Sequence, residues 1–242
     1  KKNSSCWGCC THMSKEILRI GLPSKGRIRS GCIDILKKKK IKVFSERGDR
    51  DLFGIVKNKP NLQILYMHPR EIISNLAKDD LDIGFSGFDL YKDSEVITQK
   101  KIGIVKKLNF GIAEIVLAIP EEFIDIYTTL DLDEVADEFR KKNNSLIQIG
   151  TKYVNITRRF LEEKGVTNFE IIKSLGATEL MPKLLKNCMC ISDVSQTGST
   201  LKSNKLRILE NGIIMKTSAC LFVNKKSYKK KGINNLIRLL SK

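Results

Sequence analysis

The chain has 242 residues, 41% of them hydrophobic and 29% charged, a composition of soluble domains with ample core that excludes collagenous and low-complexity chains. No apolar run reaches the ~18 to 20 residues of a membrane span, and no secretory core of ~7 to 15 apolar residues stands at the N-terminus, so a soluble, cytoplasmic protein is expected. The formal net charge of +17 comes from 33 Lys against only 11 Arg, with no aromatics between the basic runs. That balance argues against a nucleic-acid reader, which leans on the planar Arg fork and on stacking platforms, and reads as Lys-rich coding bias together with a taste for anionic small substrates.

Residues 1–13 carry Cys6, Cys9, Cys10 and His12. The Cys-x-x-Cys spacing could open a zinc knuckle, but adjacent Cys10 and His12 crowd a tetrahedral site and no second pair follows. A disordered leader or expression remnant is the expectation. Cys32, Cys188, Cys190 and Cys220 fall in apolar periodic segments and read as buried free thiols.

From Met13 the chain alternates strands and helices. Ile17–Leu22 reads as a strand, Gly26-Arg27 as a turn, and Ile28, Cys32, Ile35 and Leu36 as one helix face. Leu62–Met67 is a strand, Pro69 opens a helix carrying Ile72, Ile73 and Leu76, and Leu81–Phe85 is a strand. This βαβ rhythm predicts a mostly parallel sheet. The nearly continuous run Ile112–Ile119 predicts a strand covered on both faces. A helix over Asp131–Lys142, a strand at Leu146–Gly150, a helix from about Asn155 to a stop at Gly165, and a strand at Phe169–Lys173 follow. Then come a helix over Thr178–Leu185, a strand at Met189–Ser192, two apolar runs at Ile208–Met215 and Ala219–Val223, and a terminal helix from about Lys226.

The strongest chemical signal is the segment Ile191–Leu201, where a buried strand ends on Asp193 and a Thr-Gly-Ser-Thr turn follows. Such a turn offers backbone N–H groups and three hydroxyls to a phosphate monoester, and Gly198 lets the backbone approach the anion. Asp193, one loop's reach away, is placed to accept hydrogen bonds from ribose hydroxyls.

Asp-x-x-x-Thr-Gly-x-Thr-Leu resembles the phosphoribosyl-pyrophosphate loop of the ATP phosphoribosyltransferase family, the first enzymes of histidine biosynthesis. Four more segments resemble the family in the same order: Leu22–Arg27, Asp82–Asp89, Thr151–Arg159 and Gly176–Pro182. The resemblance implies transfer of the phosphoribosyl group from phosphoribosyl pyrophosphate to N1 of ATP, with Mg²⁺ on the phosphates and none bound by protein side chains alone. By residue, it implies that Thr197, Gly198, Ser199 and Thr200 hold the 5-phosphate, while Asp193 and Glu179 face the ribose. Lys25, Gly26 and Arg27 meet phosphates at the cleft mouth, with Arg27 and Arg50 as the catalytic cations, and Arg50 steadying pyrophosphate. Gly87 and Asp89 border adenine, and Lys152, Asn155 and Arg158 line the opposite wall. The family usually has Arg at the position of His68, which here reads as a surface or N-cap residue, with Arg70 available for the contact.

The implied fold is α/β and two-lobed, resembling type II periplasmic binding proteins, with the active site between the lobes. One lobe is expected at 14–106 plus 207–242, and the other at 107–206. The short chain implies a separate regulatory subunit resembling histidyl-tRNA synthetase. The rival readings are a solute-binding protein of the same fold for an anionic ligand, a nucleic-acid binder, and another phosphoribosyltransferase.

Overall fold

The apolar runs become strands of two sheets in the computed structural model, which describes residues 16–44, 52–57 and 59–241. In chain order the strands are β1 (Leu18–Pro23), β2 (Val43–Phe44), β3 (Phe53–Val56), β4 (Leu62–Met67), β5 (Ile83–Gly87) and β6 (Ile102–Lys107). They continue as β7 (Ala113–Pro120), β8 (Ile147–Thr151), β9 (Phe169–Lys173), β10 (Cys188–Ser195), β11 (Leu206–Thr217) and β12 (Ala219–Asn224). The helices are α1 (Arg29–Lys38), α2 (Pro69–Ala77), α3 (Phe88–Asp93), α4 (Val96–Lys101) and α5 (Thr129–Asn143). After them come α6 (Val154–Glu163), α7 (Met181–Leu184), α8 (Ser199–Ser203) and α9 (Ile233–Ser241).

The first sheet has the order β2-β3-β4-β1-β5-β12-β6, the second β11-β7-β10-β8-β9. Central β1 runs parallel to β4 and β5, as the βαβ rhythm predicts. The sheet is nevertheless mixed rather than mostly parallel. The β3–β4 pair and the returning β12 are antiparallel, because short links and a returning strand need no crossover helix.

Each half has its own core. On β12 the side chains alternate: Ala219, Leu221 and Val223 pack with α1 and α9 on one face, and Cys220 and Phe222 with α2 on the other. In the second sheet, Leu117, Ile119, Ile147 and Ile149 face α5 and α6, while Val116, Ala118 and Ile191 face α7 and α8. Each large apolar side chain buried contributes about 1.5–3 kcal/mol to holding its helices on the sheet. The four cysteines from Cys32 onward are buried and free, and burial raises their thiols, Cys32 to about 12.

His68 is the N-cap of α2: its Nδ1 accepts the Arg70 N–H, and Glu71 returns the bond to the His68 backbone N–H. Two helix expectations change. Thr178–Leu180 is a 3₁₀ turn ahead of α7, with Pro182 at the start of that helix. The terminal helix begins at Ile233, because Gly232 at φ +85° interrupts the chain after a 3₁₀ turn over Lys225–Lys229.

The chain crosses between sheets twice, after β6 and after β11. The crossings are tied together by Leu108 N to Ala219 O at 2.8 Å and Ala219 N to Phe110 O at 3.0 Å. The return was expected at 207, but β11 pairs with β7 in the second sheet through Thr217, and the chain comes back at Ser218. An apolar strand names no partner in its own residues, which is why the boundary moved.

Candidate active site

The loops at the carboxyl ends of parallel strands converge between the sheets, where open α/β folds bind ligands. From the first sheet come Lys25–Ile28 after β1, His68–Arg70 after β4, and Gly87, Asp89 and Leu90 at the end of β5. From the second come Lys152 and Tyr153 after β8, and Lys173, Ser174 and Leu175 at the end of β9. They enclose a cleft of about 570 Å³. Among the described residues its lining holds Lys25, Arg27, Arg70, Lys152 and Lys173 against one carboxylate, Asp89. The surplus of cations suits a polyanion.

Asp89 is 1% exposed and hydrogen-bonded from several sides. Its Oδ1 accepts the Thr217 hydroxyl at 2.9 Å and lies 3.4 Å from Arg27 Nη2, while its backbone N–H donates to Thr217 Oγ1 at 3.0 Å. The Tyr153 phenol lies close by, and burial, then the Asp89 charge, raise it well above its ordinary value. Arg27 in turn donates Nε to the Gly111 carbonyl at 3.2 Å, so a crossing segment helps to aim it. The carboxylate folds back over Gly87 so closely that a Cβ there would lie 2.1 Å from Asp89 Oδ1. Gly87→Ala is therefore expected to push Asp89 off Arg27 and Thr217 and to destabilise the fold by about 1–3 kcal/mol, as overpacking does. Urea unfolding checks it.

A second cleft, of about 390 Å³, is lined by Arg27, Glu179, Asp193 to Thr200, and Leu201. Arg27 is common to both. Gly198, at φ +73°, sits in the left-handed region that L side chains avoid, and turns β10 into α8. Its N–H donates to Ser195 Oγ at 3.1 Å, and the Thr197 and Ser199 hydroxyls are 2.9 Å apart, so the loop's polar groups are gathered at one place.

The strand expected to end on Asp193 runs on to Ser195, so Asp193 lies within β10. Burial raises its carboxyl and the Glu179 charge adds to this, while the Val194 N–H, Lys152 and the Thr178 hydroxyl oppose it. Its neighbour Ser192 is fully buried and accepts the Thr157 hydroxyl at 2.9 Å.

Of the residues expected at the site, Lys25, Gly26, Arg27, Gly87, Asp89 and Lys152 line the first cleft, and Arg27, Glu179, Asp193, Thr197, Gly198, Ser199 and Thr200 the second. Asn155 and Arg158, both exposed, line neither. Asn155 spends its side-chain amide on the Asp93 carbonyl at 2.6 Å. Arg50 and the cysteine-rich residues 1–13 lie outside the described residues. Sequence reasoning gave no role to Tyr153, Lys173, Leu175 or Thr217. Only Tyr153 carried a signal, as the residue after Lys152, and Leu175, 94% exposed on the cleft rim, carried none.

Among the described residues no cluster of three or more His, Cys, Asp or Glu could hold a metal, and no helix is long and apolar enough to cross a membrane.

Comparison with known proteins agrees with this geometry. The solved ATP phosphoribosyl transferase (HisG:HisZ) complex from Thermotoga maritima matches over 93% of this chain and 96% of its own, with TM-score 0.71 and 25% identity. The arginine-bound, truncated ArgBP of T. maritima agrees in fold alone, with TM-score 0.51 and 12% identity over 93% of each chain. The architecture is thus α/β and two-lobed, like the type II periplasmic binding proteins. An ATP phosphoribosyltransferase of Brucella suis is 35% identical over 218 residues, 90% of this chain and 94% of the relative. With the family model HisG, ATP phosphoribosyltransferase, matching residues 68–242 as well, the chain belongs to the ATP phosphoribosyltransferase family.

Proposed function

We propose that the chain is a glycosyltransferase of the pentosyl class, which joins N1 of the ATP adenine to C1 of phosphoribosyl pyrophosphate and releases pyrophosphate, in the first step of histidine biosynthesis. The observation that carries this reading is the meeting of two unlike clefts at Arg27. One side holds a hydroxyl-rich turn beside two carboxylates, and the other a cation-lined space. The turn suits a 5-phosphate and Asp193 and Glu179 suit ribose hydroxyls, while Lys25, Lys152 and Lys173 suit the triphosphate. Adenine lies by Gly87 and Asp89.

In the reaction the N1 lone pair forms the new bond to C1, and the C1–oxygen bond breaks with its electron pair leaving on pyrophosphate. The transition state is oxocarbenium-like at C1. Positioning and neutralisation of the leaving group therefore matter more than a nucleophilic side chain. Arg27, between the clefts and oriented by Asp89 and Gly111, is the cation placed for the leaving group. Arg50 has the same role by resemblance, and Arg158 and Asn155 stay with the phosphoribosyl pyrophosphate wall by resemblance alone.

Mg²⁺ usually takes one or two carboxylates and completes its shell with substrate phosphates and water. The resemblance puts the ion on the phosphates of the substrates, and when bound it supplies neutralisation of pyrophosphate charge. The Thermotoga relative is a HisG:HisZ complex, which supports a separate regulatory subunit resembling histidyl-tRNA synthetase for this chain too. The place of work is the cytoplasm, in keeping with four buried free thiols.

Titration calorimetry with phosphoribosyl pyrophosphate tests the assignment of the loop. Thr200→Ala is expected to lose a hydrogen bond to a charged phosphate, about 1.5–3 kcal/mol of affinity, with the fold intact. Unchanged binding would remove the loop from its role.

A further inference from the structure

Helix α6 begins without a cap of its own. Its N-cap residue, Tyr153, makes no side-chain bond to the first turn, and that turn has no acid. The free N–H groups of a helix start need an acceptor. Here it comes from the other half of the molecule. Asp93, at the end of α3 and 3% exposed, accepts the backbone N–H of Asn155 at 2.8 Å and of Ile156 at 3.3 Å through Oδ1.

The second oxygen of Asp93 takes Arg70 Nη1 at 2.8 Å, and Arg70 Nη2 continues to the Lys152 carbonyl at 2.7 Å. The guanidinium carbon lies 6.0 Å from the centre of the Tyr153 ring. On its own side the same turn is fixed by Tyr153 N–H to Thr151 Oγ1 at 2.9 Å. Arg70 therefore lines the cleft with both terminal nitrogens already engaged on protein oxygens. A guanidinium held in this way acts as a joint, because its planar fork fixes two partners at once.

We infer that Arg70, held by Asp93, is a positioning residue that sets Lys152 in the cleft, and acts on the reaction through that lysine. The inference rests on the proposed role of Lys152 in substrate binding. It goes beyond that role by placing the control of the lysine in the opposite lobe. A tie that served stability alone would lower the melting temperature and leave the kinetics of the folded enzyme unchanged.

The test is a double-mutant cycle on the full chain, in the ATP and phosphoribosyl pyrophosphate assay, with Arg70→Met, Lys152→Met and the pair. Each single change should cost on the order of 10- to 10²-fold in kcat/KM, since a misplaced group far from the bond change can cost that much. The pair should be no worse than the worse single change, and Arg70→Lys, which keeps one of the two bonds, should recover part of the loss. Additive losses, or an Arg70→Met enzyme with unchanged kcat/KM, would overturn the inference. Should Arg70→Met fail to fold, Arg70→Lys takes its place in the cycle under the same criteria. Amide exchange at Asn155 and Ile156 reads the joint without any substrate. It should quicken in the Arg70 variant, and unchanged exchange overturns the joint even where the reading of the reaction has itself failed.

Discussion

Arg27→Ala is expected to lower kcat/KM by about 10²- to 10³-fold while the protein remains folded. That is the usual cost of removing one preorganised group that meets developing charge. Among the described residues Arg27 is the one side chain common to the two clefts, and its guanidinium is aimed by two fixed partners, the Gly111 carbonyl and the Asp89 carboxylate. Its ion pair with Asp89 is 3.4 Å long, but the carboxylate is only 2% exposed, so removing the guanidinium leaves a buried charge without its cation and lowers stability as well. Asp89 retains the Thr217 hydroxyl, which keeps the fold in place while the melting temperature falls. Arg27→Lys keeps the charge and loses the fork, and should fall between the two. Steady-state kinetics with each substrate varied in turn, beside circular dichroism, would show it. A variant with full activity would move the leaving group away from Arg27.

Asp193→Asn should give the opposite pairing: a more stable protein that uses phosphoribosyl pyrophosphate poorly. Burial raises the Asp193 carboxyl above its ordinary value of 3.8. An acid raised on folding binds more protons in the native chain than in the unfolded one between its two pKa values. Stability therefore falls as pH climbs through that window, and the penalty is complete above the folded value. At neutral pH the amide removes the penalty, and its oxygen can still accept the Val194 N–H that Asp193 holds at 2.7 Å. The melting temperature of the variant should exceed that of the parent at pH 7, and the gap should close as pH falls toward 3.8. Equal melting curves at pH 7 would show that the carboxylate is not strained by its site. The cost to function follows from the ribose hydroxyls, which lose an ionised acceptor. Destabilised groups of this kind are characteristic of working sites.

Much of the fold was legible because its strands are short apolar runs punctuated by Pro, Gly and charge. Pro69 and the His68 cap placed α2, and the even burial of β7 from Ile115 to Ile119 matched its unbroken apolar run. The course of β11 was not legible. Its residues suit either sheet, and its register with β7 shifts between Ile208 and Ile213 and again before Met215, so period alone does not name its neighbour. The gathering of Asp193 to Thr200 along one cleft was legible for a local reason: these residues form one continuous segment. The bond made by Asn155 was not legible for the converse reason. Its side chain is committed to Asp93, a partner 62 residues away in sequence, which no motif records. Thr217 and Lys173 joined the site only through the folding of distant strands to one edge.

The central claim is that both substrates meet across Arg27. The most direct measurement is the ultraviolet change on N1 substitution of adenine, followed with ATP, phosphoribosyl pyrophosphate, Mg²⁺ and pyrophosphatase, with binding of phosphoribosyl pyrophosphate alone measured on the same sample. The account predicts absorbance growth that needs both substrates, or, where the chain waits for its regulatory subunit, saturable binding that Thr200→Ala weakens. A chain that neither turns over nor binds phosphoribosyl pyrophosphate would contradict it.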